Sequence, residues 1–501
     1  ITYKFVDSRV WGLFKSNWQH TLTYWSVFFS FGLCVAFLGP TILDLRCQTQ
    51  SSLQEITWVF FSQQLFLFLG SSIGGLFSKS LKCSLSALAV STLVISVVFA
   101  MIPLCHRVMA LAVAMAVAGL AMGIIDTIAN LQLVKLYQKD STIFLQVLHF
   151  FVGLGALVSP LIADPFLSET PCVLANQTNR STTMRHIRNT LGGLPTHNVS
   201  HYPFHTEGEV VTNISYAFWI MALINLPVPM GVLILMYKER MLGCGNGART
   251  RLLEKDKLDM RVRGSTASTA SASQSNMDYR SLFSCCRYGD QSGQPLGFVG
   301  IHVLGGLVLF FSDGIVGAYE GFVYSYAVAE PLSMPHKTAG YLTSVFWAAI
   351  TVGRLASIPM TYYFKPSRQL TVNQVGVIFT LLMLLMLYSS AAFLFVGTLA
   401  LGLCISSVYP CMLAYTEDML NYKGCATTVL VTSASMGEML LQLLVGSVMH
   451  SKGSYSFMVC GVIFSFLGLC SFLAFLFCWR VYRSQSSGTP PLSRITTPLG
   501  V

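Results

Sequence analysis

Four carboxylates stand inside runs of sequence that are otherwise apolar: Asp126, Asp313, Glu320 and Glu438. A charge at the bilayer centre costs roughly 2.5–3.5 kcal/mol even on a lenient insertion scale, so each must face a cavity, a partner or a transported ion. Gly119, Gly123, Asp126 and Asn130 recur at helical spacing and share one helix face. That places Asn130 to bond a ligand hydroxyl beside the Asp126 carboxylate; a structural pairing with another helix is the alternative. Asp313, Gly317, Glu320 and Tyr324 share a face in the same way, with Gly314 and Gly321 allowing local unwinding. Carboxylates with freed carbonyls are the hard oxygen ligands that a sodium ion takes. The alternative is that one acid pairs with His302 or faces an external vestibule. Glu438, with Ser435 and Gln442 at helical spacing, is either a fourth ion-coupling acid or a neutral, hydrogen-bonded side chain.

Gln146 and His149 lie three apart within an apolar run. The imidazole either carries protons near neutral pH or donates to a carbonyl. Gln64, beside Gln63, and Trp347 are either contacts for a hydroxylated solute, an amide for its hydroxyls and an aromatic face for its ring, or ordinary packing and interface anchors. Arg354, in Gly353-Arg354-Leu355, falls near one end of its run, where snorkelling to the headgroups is the first role and gating the second. No phosphate-binding Gly-rich loop, structural-metal spacing or nucleophile with base and orienter is present, so no enzyme, ATP-driven pump, cofactor or metal site is expected, beyond transported Na+ or H+.

The chain that positions these groups has 501 residues, 53% apolar and only 10% charged, with mean hydropathy +0.61. Soluble domains carry about 25% charged residues, which excludes a water-soluble enzyme, a disordered chain and an ordinary nucleic-acid binder. Apolar runs of about 20 residues fall at 21–43, 57–77, 84–104, 110–132, 142–163, 215–237, 297–321, 338–358, 369–388, 391–414, 425–449 and 456–479. They are continuous rather than alternating, which specifies helices and not a barrel. The fold expected is an all-α membrane protein of twelve transmembrane helices in two six-helix halves. Its parts are an N-terminal arm, 1–20; a first half, 21–237; a basic and then Ser/Thr/Ala-rich disordered linker, 238–295; a second half, 296–479; and a tail, 480–501.

With both termini cytosolic, 23 of the 31 Lys+Arg lie inside and seven outside, with Arg354 in a span. This positive-inside bias accounts for the net charge of +10 without a nucleic-acid partner. Asn176, Asn179, Asn198 and Asn213 head glycosylation sequons, all in the loop 164–214 that this topology places outside. Passage through the secretory route to the plasma membrane or an endomembrane follows. Of the 14 cysteines, Cys47, Cys105 and Cys172 fall outside, enough for one bridge whose pairing is open.

Ala121-Met-Gly123-Ile-Ile-Asp126-Thr127 in the fourth span aligns with Ala400-Leu-Gly402-Leu-Cys-Ile405-Ser406 in the tenth. Related halves around an interfacial site describe a rocker-type secondary transporter. The run Gly119–Asn130 resembles the fourth-helix signature of the fucose-permease-like branch of the major facilitator superfamily, which has glutamate where Asp126 stands. Gly402–Pro410 is similar to that branch's tenth-helix segment. The resemblance implies a sugar-type solute, symport with sodium or protons, and cavity-lining roles for Gln146 and His149. Two features depart from the family. Gly74-Gly-Leu-Phe-Ser78-Lys79 lacks the aspartate of the general loop between spans 2 and 3, and Gly39 stands where the proton-coupled permeases have a first-helix aspartate. The expectation is a monomer in lipid that rocks 21–237 against 296–479 around a small-molecule substrate. An uncoupled facilitator, or a transport-inactive sensor or scaffold, is the alternative.

Overall fold

The computed structural model describes residues 8–51, 53–166, 214–239, 296–420 and 426–487, to which the structural statements below refer. They form α1 (Ser8–Gln48), α2 (Leu53–Gly74), α3 (Leu81–Met101), α4 (Val108–Tyr137), α5 (Ser141–Ala163), α6 (Ile214–Asn225), α7 (Pro227–Lys238), α8 (Leu296–Val328), α9 (His336–Tyr363), α10 (Pro366–Met386), α11 (Ala391–Ile405), α12 (Val408–Met419), α13 (Ala426–Lys452) and α14 (Ser456–Ser487). Eleven stretches are long and apolar enough to cross a membrane, and one of them, Val108–Ala163, holds both α4 and α5. The chain reverses between those two helices. Gln138 adopts φ +47°, and the rings of Tyr137 and Phe144 stack 3.4 Å apart, whereas seven residues of one helix would separate them by about 10.5 Å. Twelve spans result, α6 with α7 and α11 with α12 each making one.

Those two broken spans differ from the single helices expected, and proline is the reason. Pro227 opens α7, and Leu226 donates its N–H back to Ala222. Pro410 lies in the first turn of α12 and has no N–H to give the carbonyl four residues earlier, that of Ser406. The N-terminal arm also differs: α1 is helical from Ser8, with a kink at Asn17, so 8–20 extend the first span. The four sequons, Cys172, nearly all of the linker and the tail from 488 on lie outside the described residues, while 480–487 continue α14. Cys105 is a free, buried thiol.

Small residues set the helix pairs. A Cβ on Gly123 of α4 would sit 2.0 Å from the Leu67 carbonyl oxygen of α2, and one on Gly74 would sit 2.8 Å from the Thr127 Cβ. The second half repeats the arrangement: Gly402 of α11 faces the Phe346 carbonyl of α9, and Gly353 faces Ser406. Gly155 of α5 meets the Phe29 carbonyl of α1 just as Gly437 of α13 meets that of Phe310 on α8. Backbones this close allow helices to gain dispersion where lipid offers no hydrophobic drive.

The two sides of the bundle differ. At the side that carries the ends of the chain, the core of the first half runs without interruption into α12 and the first turns of α13, through Met412, Leu413, Leu430 and Val431. Toward the opposite side, the core of the second half takes in only Ala36 and Ala156 of the first. The halves are therefore joined at the terminal side and separate beyond the middle.

Candidate functional site

Asp126 projects from α4 at the seam between the halves. Its Oδ1 accepts the Asn130 amide N–H at 2.9 Å, and its Oδ2 faces the Tyr409 hydroxyl of α12 at 3.4 Å. The carbonyl of the same Asn130 amide meets Nε2 of His149 on α5 at 3.1 Å, so Nε2 carries the proton there. The His149 ring lies 4.7 Å from that of Tyr409 and edge-on to Phe28. Asn130 thus has both ends of its amide engaged, orienting Asp126 and His149 instead of presenting a free amide to a ligand.

Arg354 turns inward, contrary to the snorkelling expected of it. Its Nη1 donates to the His149 carbonyl at 2.7 Å, and its Nε donates to the Ser406 carbonyl at 3.3 Å. The second acceptor exists because Pro410 leaves Ser406 without its helical donor. Asp313 is the acidic neighbour of the guanidinium, and the two share a small cavity with Tyr409. A buried arginine stays charged and needs such acceptors.

One turn toward the terminal side, Gln146 is engaged at both ends by the opposite half. Its Oε1 accepts the Ser357 hydroxyl at 2.7 Å, and its Nε2 reaches Cys411 Sγ at 3.0 Å. The Ser71 and Ser435 hydroxyls meet at 3.0 Å between α2 and α13. Deeper in the bundle, Gln64 Nε2 approaches Glu438 Oε1 at 3.5 Å. These hydrogen bonds between the halves lie at the bundle's middle or on its terminal side.

α8 carries the remaining acids and runs unbroken. Gly314 and Gly321 do not unwind it; they face Leu441 and Gln442 of α13, and Gly317 between them admits the Glu438 side chain. His302 bonds the Phe298 carbonyl one turn back at 2.9 Å and is the partner of neither acid. Trp347 of α9 sets its indole beside the Glu320 carboxylate but closes no hydrogen bond with it. The sites singled out from sequence therefore converge in space. Tyr409 and Ser71 join them as residues that polarity alone did not mark, although Tyr409 lies three residues beyond the Ser406 aligned with Thr127.

No protein-family model matches the chain. It is similar to major facilitator superfamily domain-containing protein 4A of Danio rerio, 65% identical over 487 residues that cover 97% of this chain and 93% of that protein. To the Homo sapiens protein of the same name it is 56% identical, covering 96% of each. Sodium-dependent glucose transporter 1 of Homo sapiens is 23% identical over 419 residues, 84% of this chain and 71% of that one. Among solved structures, the E. coli fucose:proton symporter superposes with a TM-score of 0.57 at 14% identity, over 91% of this chain and 98% of that one. The proton:xylose symporter bound to 6-bromo-6-deoxy-D-glucose gives 0.62 at 14%, over 92% and 95%. Close sequence relatives along nearly the whole length, on twelve spans in two halves, place this chain in the major facilitator superfamily, as a multi-pass membrane transporter and not an enzyme.

Proposed function

We propose that the protein is a secondary-active transporter of a small polar solute, with a hexose as the first solute to test, sodium as the coupling ion and protons second. Support comes from the contact between Asp126 of one half and Tyr409 of the other, which ties the charge on a buried carboxylate to the seam that must open. When a cation neutralises Asp126, the pull on Tyr409 weakens, and the terminal-side bonds become free to break. Each contributes about 0.5–1.5 kcal/mol. A monovalent cation crossing 100 mV gains about 2.3 kcal/mol, enough for roughly fiftyfold accumulation. Both termini face the cytosol in this reading, with the sequon-bearing loop glycosylated on the other side. In that topology the seam closed in the present conformation is the cytosolic one.

The test is uptake of radiolabelled hexose into vesicles under a sodium gradient, a proton gradient or none. Asp126→Asn should abolish accumulation while the protein still reaches the membrane. Undiminished accumulation by that variant would remove Asp126 from coupling, and equal uptake with and without gradients would make the protein a facilitator.

A further inference from the structure

Seven residues separate Asp313 from Glu320 on α8, and seven separate Trp347 from Arg354 on the antiparallel α9. Each interval rises about 10.5 Å. Arg354 accordingly faces Asp313, and Trp347 faces Glu320. Glu438 comes between them from α13, its side chain against Gly317, midway between the two acids. Three carboxylates form a line that a guanidinium balances at the inner end. At the outer end, Glu438 has Glu320 as an acidic neighbour, and among the described residues no Lys or Arg closes an ion pair with either.

Two uncharged groups at that outer end add a second, independent sign. The indole Nε1–H of Trp347, a side chain only 5% exposed, lies beside the Glu320 carboxylate without closing a well-formed hydrogen bond, and Oε1 of Gln64 has no donor. A buried polar atom left in that condition costs about 1–3 kcal/mol. This lining therefore favours a ligand that offers an acceptor to the indole and donors to the amide and the carboxylates.

We infer that Glu320, Glu438, Gln64 and Trp347 form a subsite for a protonated amine with a neighbouring hydroxyl, so that the solute is itself a cation of amino-sugar or amino-alcohol type. An ammonium has three N–H donors, which match the two carboxylates and the Gln64 oxygen. The neighbouring hydroxyl oxygen accepts from the Trp347 N–H, and the indole lies within reach of the cation. A sodium ion could use the oxygens but gives the indole no acceptor. A neutral sugar by itself brings no positive charge to the two adjacent acids. The inference rests on the transport reading above, giving the outer acids to the solute and leaving Asp126 to coupling.

D-glucosamine, D-glucose and N-acetyl-D-glucosamine share one ring and differ in charge, so they serve as probes for the purified full-length protein in nanodiscs. Binding is read by the shift in melting temperature across a concentration series. Glucosamine should bind at least tenfold more tightly than either neutral sugar. Glu320→Gln and Glu438→Gln should each reduce that preference below threefold, and Trp347→Phe should weaken glucosamine binding while preserving its preference over N-acetylglucosamine. The comparison of probes on the unmodified protein needs no variant and stands even if one fails to fold. Equal or tighter binding of glucose overturns the inference and leaves the hexose reading standing. Failure of both glucosamine and ethanolamine to bind also overturns it, whereas the hexose reading is judged separately by gradient-driven uptake.

Discussion

At the scale of single residues, Arg354 and Asp313 are opposite charges that line one small cavity without closing an ion pair. Removing one partner from a buried pair leaves the other uncompensated and costs about 3 kcal/mol or more, whereas removing both is often tolerated. Arg354→Gln should therefore lower the melting temperature of the protein clearly, and Asp313→Asn added to it should recover most of the loss. Equal melting of the single and the double variant would show that the pair carries no stability. Asp126 was legible in the sequence because a charge inside an apolar run has few permitted roles. The direction of Arg354 was not, since snorkelling and inward pairing differ only in helix rotation and depth. One local sign was available: Pro410 strips the Ser406 carbonyl of its helical donor and so creates an acceptor in the interior.

Among elements, helix pairing depends on where a side chain can be accommodated, and glycines of similar appearance differ sharply. A Cβ on Gly437 would lie 2.0 Å from the Phe310 carbonyl oxygen, while one on Gly231 in α7 meets nothing within 4 Å. Gly437→Ala should thus force α13 from α8 and destabilise by about 1–3 kcal/mol. Gly231→Ala should stabilise by up to about 1 kcal/mol through helix propensity. Thermal melts of both in the same nanodiscs give the sign directly, and a neutral Gly437→Ala would refute the close crossing. Hydropathy located all twelve spans, because length and apolar content alone decide what can cross a bilayer. It did not locate the breaks after Asn225 and Ile405, where the hydrophobic run continues through the interruption and only the prolines mark it. Gly314 and Gly321 of α8 face Leu441 and Gln442 of α13 and leave the helix unbroken; a glycine's sequence context does not distinguish close packing from local unwinding.

For the whole molecule, the question is which side the halves close. Charge distribution and the repeated Gly/hydroxyl pattern reveal two halves, but a sequence that must support several conformations cannot show which of them is adopted. The structure joins the halves at the terminal side, where the Ser71 and Ser435 hydroxyls stand 3.0 Å apart. Their separation is short enough that cysteines at both positions should form a disulfide under mild oxidation. With a protease site placed in the 238–295 linker, the cleaved halves of the Ser71→Cys, Ser435→Cys variant should remain joined on a non-reducing gel. If alternating access requires this seam to part, oxidation should suppress vesicle uptake at least tenfold, and a reductant should restore it. Glucosamine should still bind to the oxidised protein, because Glu320 and Trp347 lie on the other side of the lock. Full uptake through a demonstrated crosslink would mean that solute passes without the seam opening, and the rocking of two halves would have to be abandoned.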